Sequence, residues 1–156
     1  VSPFDDDGVG LDTRAIALGV VAQWLHAVGL YFATPLEGAQ VGSLVLVLAT
    51  GLVGGVVAGD RAGPPVSRSG RHGLLAGLFG GGGTAALFWW ALATPGAPRG
   101  AFYSLGYLVA TTPIPGVSTH GDLVVALLAV ALGAGISVLA WMAGRRAPDR
   151  ADSLLQ

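Results

Sequence analysis

The sequence contains no cysteine among its 156 residues, which excludes disulfides, thiolate metal sites and thiol nucleophiles together. Lysine is absent as well. All eight cationic side chains are arginines, set against nine carboxylates for a formal net charge of −1, so no overall basic surface is available to nucleic acid. Charge of either sign is scarce, at 11% of residues, whereas 53% are hydrophobic and the mean hydropathy is +0.68. That balance belongs to an integral membrane protein. The length accommodates one bundle of a few spans and leaves no room for a second domain of ordinary size.

Crossing about 30 Å of hydrocarbon takes roughly 20 helical residues, and four stretches suffice: 15–33, 39–59, 73–94 and 123–143. The first follows a polar tail, residues 1–13, in which Asp12 or Thr13 stands where a helix N-cap belongs. Arg14 gives this span a basic flank like that of a signal peptide. However, Gln23, Trp24 and His26 interrupt it and Tyr31-Phe32-Ala33 lacks a small-x-small cleavage pattern, so it is expected to stay in the protein as a span. Val1 in place of methionine leaves the origin of the N-terminus open. Residues 34–38 read as a turn. Residues 60–72 read as a loop, because Pro64-Pro65 opposes a continuous helix and Arg61, Arg68 and Arg71 favour water. Residues 95–122 hold four prolines and form an irregular external segment. Its apolar part, 101–112, is too short to span unaided and either lies along the interface or dips in as a re-entrant piece. Gly144-Arg145-Arg146 is expected to stop the last span, leaving 145–156 as a cytoplasmic tail.

Placing both termini and the 60–72 loop in the cytoplasm puts seven of the eight arginines inside and leaves Arg99 outside, as the positive-inside rule requires. A fifth crossing at 101–112 would send the arginine-rich tail outward. The expected fold is therefore an all-α polytopic bundle of four transmembrane helices in the cell membrane, with cytoplasmic termini. Gly51, Gly55 and Gly59, then Gly73, Gly77 and Gly81, recur at four-residue spacing, so each set lies along one helical face. Lipid tails are as apolar as leucine, and helices in a bilayer associate through close backbone approach at small residues. Spans two and three are expected to form a glycine-packed central hairpin. The same faces would equally serve a homo-oligomer or a larger membrane complex.

Gln23 and His26, at i and i+3, are the most polar residues near the middle of a span and are expected to look into the bundle. They would act either as a relay through His26, whose ordinary pKa near 6.5 permits switching, or as packing groups bonded to Thr50, Thr84, Ser137 or backbone carbonyls. No Asp, Glu or Arg lies within a predicted span, which favours packing, since ion-coupled carriers usually need such a charge. The glycine run 80–83 is either an unwound segment offering carbonyls to an ion or a place of close packing. No second broken helix matches it, and packing is expected. Arg61, Arg68 and Arg71 either set topology alone or also contact anionic lipid headgroups. His120-Gly121-Asp122 is similar to the aspartate motif of intramembrane aspartyl proteases, yet Thr119 replaces its first glycine and no partner aspartate stands in another span. One His and one Asp are too few ligands for a metal.

The pattern Gly54-Gly55-Val56-Val57-Ala58-Gly59, a polar loop, then Gly70-Arg71-His72-Gly73-Leu74-Leu75-Ala76-Gly77 resembles small multi-span membrane proteins of halophilic archaea, grouped as domains of unknown function. The resemblance covers about a quarter of the chain and implies a topology but no activity. The expected function is non-enzymatic, a structural or accessory subunit, with an oligomeric channel or small-solute transporter as the alternative. The expected partners are the lipid bilayer and either further copies of the chain or a larger membrane complex. No nucleic acid and no cofactor are expected.

Overall fold

The computed structural model describes residues 10–33, 40–94, 96, 99–113 and 117–153. Five helices follow one another: α1 (Thr13–Phe32), α2 (Gln40–Ala62), α3 (Val66–Ala93), α4 (Gly100–Thr111) and α5 (Val117–Ser153). Among the described residues there is no strand. Four segments are long and apolar enough to cross a bilayer, namely α1, α2, α3 and His120–Ala147 within α5. The chain is an all-α, multi-pass membrane protein.

Local chemistry sets the helix ends. Asp12 caps α1, its Oδ1 accepting from the amides of Arg14 at 2.9 Å and Ala15 at 3.2 Å, donors that the helix itself leaves unpaired. The connection between α2 and α3 is far shorter than the 60–72 loop expected from its charges. Gly63, at φ +66°, turns the chain, and the Pro65 carbonyl already accepts from the amides of Arg68 and Ser69. Arginine is a good helix former. At 28 residues, α3 measures about 42 Å and so carries Arg68 and Arg71 beyond the hydrocarbon while still helical. Gly144-Arg145-Arg146 likewise fails to stop α5, which continues to Ser153. Gly144 serves packing instead, since a side chain there would meet the Ser69 carbonyl at 2.8 Å and Gly73 Cα at 3.1 Å. A kink at His120 (φ −138°, ψ 43°) separates the first turn of α5 from its membrane-spanning part. The expected 1–13 tail falls outside the described residues up to residue 9, and the 34–38 turn lies wholly outside them.

The hairpin of α2 and α3 has two grooves. One receives α5, the other α1, and among the described residues these two outer helices do not approach each other closely. All six ladder glycines are buried, but their partner differs from the one expected: they face α5 rather than each other. A methyl group at Gly51 would strike the Ile136 carbonyl, one at Gly55 would stand 2.6 Å from Ala140 Cα, and one at Gly59 would stand 2.6 Å from Gly144 Cα. From the other side, Gly73 would meet Gly144 Cα at 3.1 Å, Gly77 would meet Ser137 Cα at 2.8 Å, and Gly81 would meet the Gly133 carbonyl at 3.0 Å. The second groove is lined by the small residues one step round each helix. Gly19 of α1 sits against Ala58 and the Gly54 carbonyl of α2 and Ala76 of α3.

Of the segment 95–122, expected to be irregular, residues 100–111 are helical as α4 and 117–122 already belong to α5. At 12 residues, α4 is about 18 Å long, too short for a crossing. It caps the end of the bundle opposite the Pro64-Pro65 turn. Gly100, at φ +56°, lies against the carbonyls of Leu30, Tyr31 and Ala33, and Phe102 is fully buried in a cluster with Val47, Phe88, Leu132 and Ile136.

Substitution to alanine separates glycines that carry packing from those that do not. G55A drives a methyl into the Ala140 backbone, which cannot rotate away, and is expected to lower stability by about 1–3 kcal/mol, the usual range for overpacking. G82A, with open space around it, is expected to gain up to about 1 kcal/mol from helix propensity. Thermal unfolding in detergent micelles compares the two; equal effects would mean that the glycines do not act through α5.

Candidate functional site

Two places in the bundle concentrate polar groups. The first lies in the groove that receives α1, whose buried stripe is Ala15, Gly19, Gln23 and Ala27. Gln23 has no exposed surface. Its amide lies between α2 and α3, in the space that side chains at Gly54 and Gly80 would otherwise fill. Neither Nε2 nor Oε1 has a hydrogen-bond partner among the described residues, and the same holds for Thr50 Oγ1 and Ser43 Oγ on the buried face of α2. Thr84 and Ser137 make no bond to it, and their hydroxyls donate to the Gly80 and Gly133 carbonyls at 2.9 and 2.8 Å. An unpaired buried amide costs about 1–3 kcal/mol, so Gln23 is held there by its neighbours' shape rather than by bonding.

His26 does not join it. One turn along α1 and rotated away, it is half-buried, and its Nε2 lies 3.2 Å from the Leu46 carbonyl, to which it donates. The pair expected to share an inward face is thus divided between a buried amide and a side chain tied to the α2 backbone. The run 80–83 is not unwound, for α3 is helical throughout it. Its glycines serve different neighbours: Gly80 admits Gln23, Gly81 admits α5 and Gly83 admits the Trp24 indole, while Gly82 faces open space.

The second place is the end where α2 turns into α3. His72 is buried, with 1% exposure. Its Nδ1 lies 2.8 Å from the Arg68 carbonyl and its Nε2 accepts from the Asp12 amide at 2.8 Å. With Nδ1–H donating and Nε2 accepting, the ring is neutral here and both nitrogens are satisfied. It ties the start of α1 to the first turns of α3. The Ala15 amide, followed by that of Arg14 and by the charge of Arg68, holds the Asp12 carboxyl below its usual 3.8, against an opposing desolvation.

Of the three arginines expected at lipid headgroups, Arg61 is exposed in the last turn of α2 and Arg68 is half-buried near Asp12. Arg71 borders a groove between α3 and α5, together with Arg145. Reading 60–72 as a loop and 145–156 as a tail hid both His72 and this groove. One signal was available for His72: counting back four residues from Ala76 along the face that meets α1 reaches it. Among known proteins, no family model matches the chain, and no curated protein or solved structure is similar to it.

The Asp12 cap has a pH signature. A carboxyl depressed on folding contributes stability that is fully present above its unfolded value, near 3.8, and is lost as pH falls through the lower folded value. D12N can still accept from the same amides but does not titrate. The fall in thermal midpoint between about pH 5 and pH 3 is expected to be smaller in D12N than in wild type, and equal slopes would remove Asp12 from the acid response.

Proposed function

We propose that the protein is a non-enzymatic structural or accessory component of the cell membrane, with both termini in the cytoplasm. The main support is the commitment of the helices to one another: two glycine ladders meet the α5 backbone, and a side chain on α1 fills the remaining groove. Such a bundle holds a shape. The buried hydroxyls of Ser69, Thr84 and Ser137 each donate to a carbonyl of their own helix, at 3.1, 2.9 and 2.8 Å, so none is paired with a base that would make it a nucleophile. What the bundle offers outward is an apolar wall, with Val21, Leu25 and Phe32 of α1 and Leu127, Val130 and Val138 of α5 each more than half exposed. Lipid, further copies of the chain or a neighbouring subunit would cover it.

Orientation rests on charge. The contacts Gly59–Gly144, Gly70–Arg145 and Asp12–His72 gather Arg14, Arg61, Arg68, Arg71, Arg145 and Arg146 at one end, whereas Arg99 precedes α4 at the other. The positive-inside rule places the first end in the cytoplasm. Because the chain has no cysteine, single replacements can be labelled without background. An impermeant maleimide added to intact cells is expected to label R99C and spare R61C; the reverse would overturn the orientation.

A second proposal, an oligomeric channel or small-solute transporter, draws on the amide of Gln23 and hydroxyl of Thr50, both buried and without a partner among the described residues. Native mass spectrometry of the gently extracted protein, with a flux assay on reconstituted vesicles, separates the two. A second polypeptide in fixed stoichiometry and no flux above protein-free vesicles is the expected outcome. A homo-oligomer whose flux disappears in Q23L would establish the channel instead.

A further inference from the structure

The overhanging ends of α3 and α5 enclose two adjoining grooves of about 380 and 400 Å³ that share Val66, Trp141 and Arg145. Met142 and Arg146 complete the first, and Ser67, Gly70 and Arg71 complete the second. Arg145 is held in place from two sides. Its Cγ lies 2.6 Å from where a side chain on Gly70 would begin, and its guanidinium stands 4.8 Å from the centre of the Trp141 ring, a cation–π distance. The absence of a side chain at position 70 is what lets the stem of Arg145 lie against α3.

Three guanidinium-bearing residues therefore border the two adjoining grooves, and no carboxylate whose side chain is described, which leaves aside Asp149 and Asp152, forms an ion pair with Arg71, Arg145 or Arg146. Like charges so placed repel, and an anion between them relieves the repulsion. The walls, in contrast, are apolar: Val66, Trp141 and Met142 are 39, 38 and 39% exposed. Trp141 marks the interfacial depth, where an aromatic ring bridges hydrocarbon and headgroups. The first turn of α3 adds to the positive field, because Pro65 supplies no side-chain cap to its free amides.

We propose that this cleft binds one anionic phospholipid, with the phosphate held by Arg71, Arg145 and Arg146 and the upper acyl chain lying on Val66, Trp141 and Met142. A free phosphate would satisfy the guanidiniums and leave the apolar wall uncovered. A zwitterionic headgroup would bring its own cation among the three arginines. An anionic lipid meets both requirements, and guanidinium suits it better than ammonium because it presents paired N–H donors to phosphate oxygens. The site depends on neither the orientation nor the accessory role proposed above.

Native mass spectrometry of the full chain, delipidated in detergent and titrated with phosphatidylglycerol, phosphatidylcholine or inorganic phosphate, tests it. One phosphatidylglycerol per protomer is expected to survive activation that strips phosphatidylcholine. R145Q/R146Q is expected to weaken its retention about 30-fold, which corresponds to about 1 kcal/mol for each arginine near a phosphate, while R99Q at the other end changes nothing. Should the double variant not fold, R145K and G70A read the same site: R145K keeps the charge but loses the paired donors, and G70A displaces the Arg145 stem while keeping every charge. Both are expected to lose retention several-fold, whereas diffuse attraction to a basic surface would leave them unchanged. Equal retention of the two lipids, full retention by the variants, or displacement of phosphatidylglycerol by millimolar inorganic phosphate would each overturn the proposal.

Discussion

Close approach of α5 to the backbones of both α2 and α3 is the constraint from which the rest of the bundle follows. In hydrocarbon, burying an apolar side chain against another helix gains little over leaving it in lipid. Cohesion then depends on many dispersion contacts, each worth about 0.1–0.2 kcal/mol and effective only at near-contact distance. Six glycines bring α5 to that distance. For Gly51, Gly55, Gly59, Gly73 and Gly81 the nearest atom is backbone, so rotamer changes cannot relieve an added side chain. Register is fixed as well as proximity, since Ile136, Ala140 and Gly144 are each met at successive turns. With α5 seated in one groove of the hairpin, α1 is left the other.

Sharing glycines between two neighbours explains their pairing in the sequence. Gly54 and Gly55 stand about 100° apart on α2, as do Gly80 and Gly81 on α3. In each pair one glycine faces α1 and the next faces α5. The run 80–83 adds a second contact with α1, because Gly83 admits the Trp24 indole. Glycine in a helix costs about 1 kcal/mol relative to alanine, and that cost is offset only where something fills the space. Nothing in the structure explains glycine at position 82.

Much of the fold was legible because its signals are local and periodic. Span lengths, the Asp12 cap and the ladder spacing can all be read from one helix at a time. Which helix a ladder meets cannot, because Gly133, Ser137 and Ala140 of α5 carry ordinary small residues that match either hairpin arm equally well. The helix overhangs were obscured by charge: Arg68, Arg71, Arg145 and Arg146 argue for water, and water is compatible with helix as well as loop. Gln23 was legible as a buried polar group from its position in a span. Its separation from His26 was not, because residues three apart share a face only loosely, and a groove as narrow as that between Gly54 and Gly80 admits one of them.

The two ends of the bundle are finished in different ways, and the difference follows from where the helices stop. At the α4 end, the connection between α3 and α5 folds back into a short helix that buries Phe102 and Leu105, closing the bundle with apolar contact. At the other end, α3 and α5 run past the hydrocarbon side by side, and among the described residues no further element covers their surfaces. Side chains there must suit both phases. Trp141 and the arginine stems do so, with apolar bodies and polar tips, and His72 secures the start of α1 against the same turns of α3. Had α3 begun at Gly73 and α5 ended at Ala143, the ladders would still pack, but the cleft holding Arg71, Arg145 and Arg146 would not exist. The polar chemistry at this end is thus a consequence of helix length, built on a core whose packing needs only small residues.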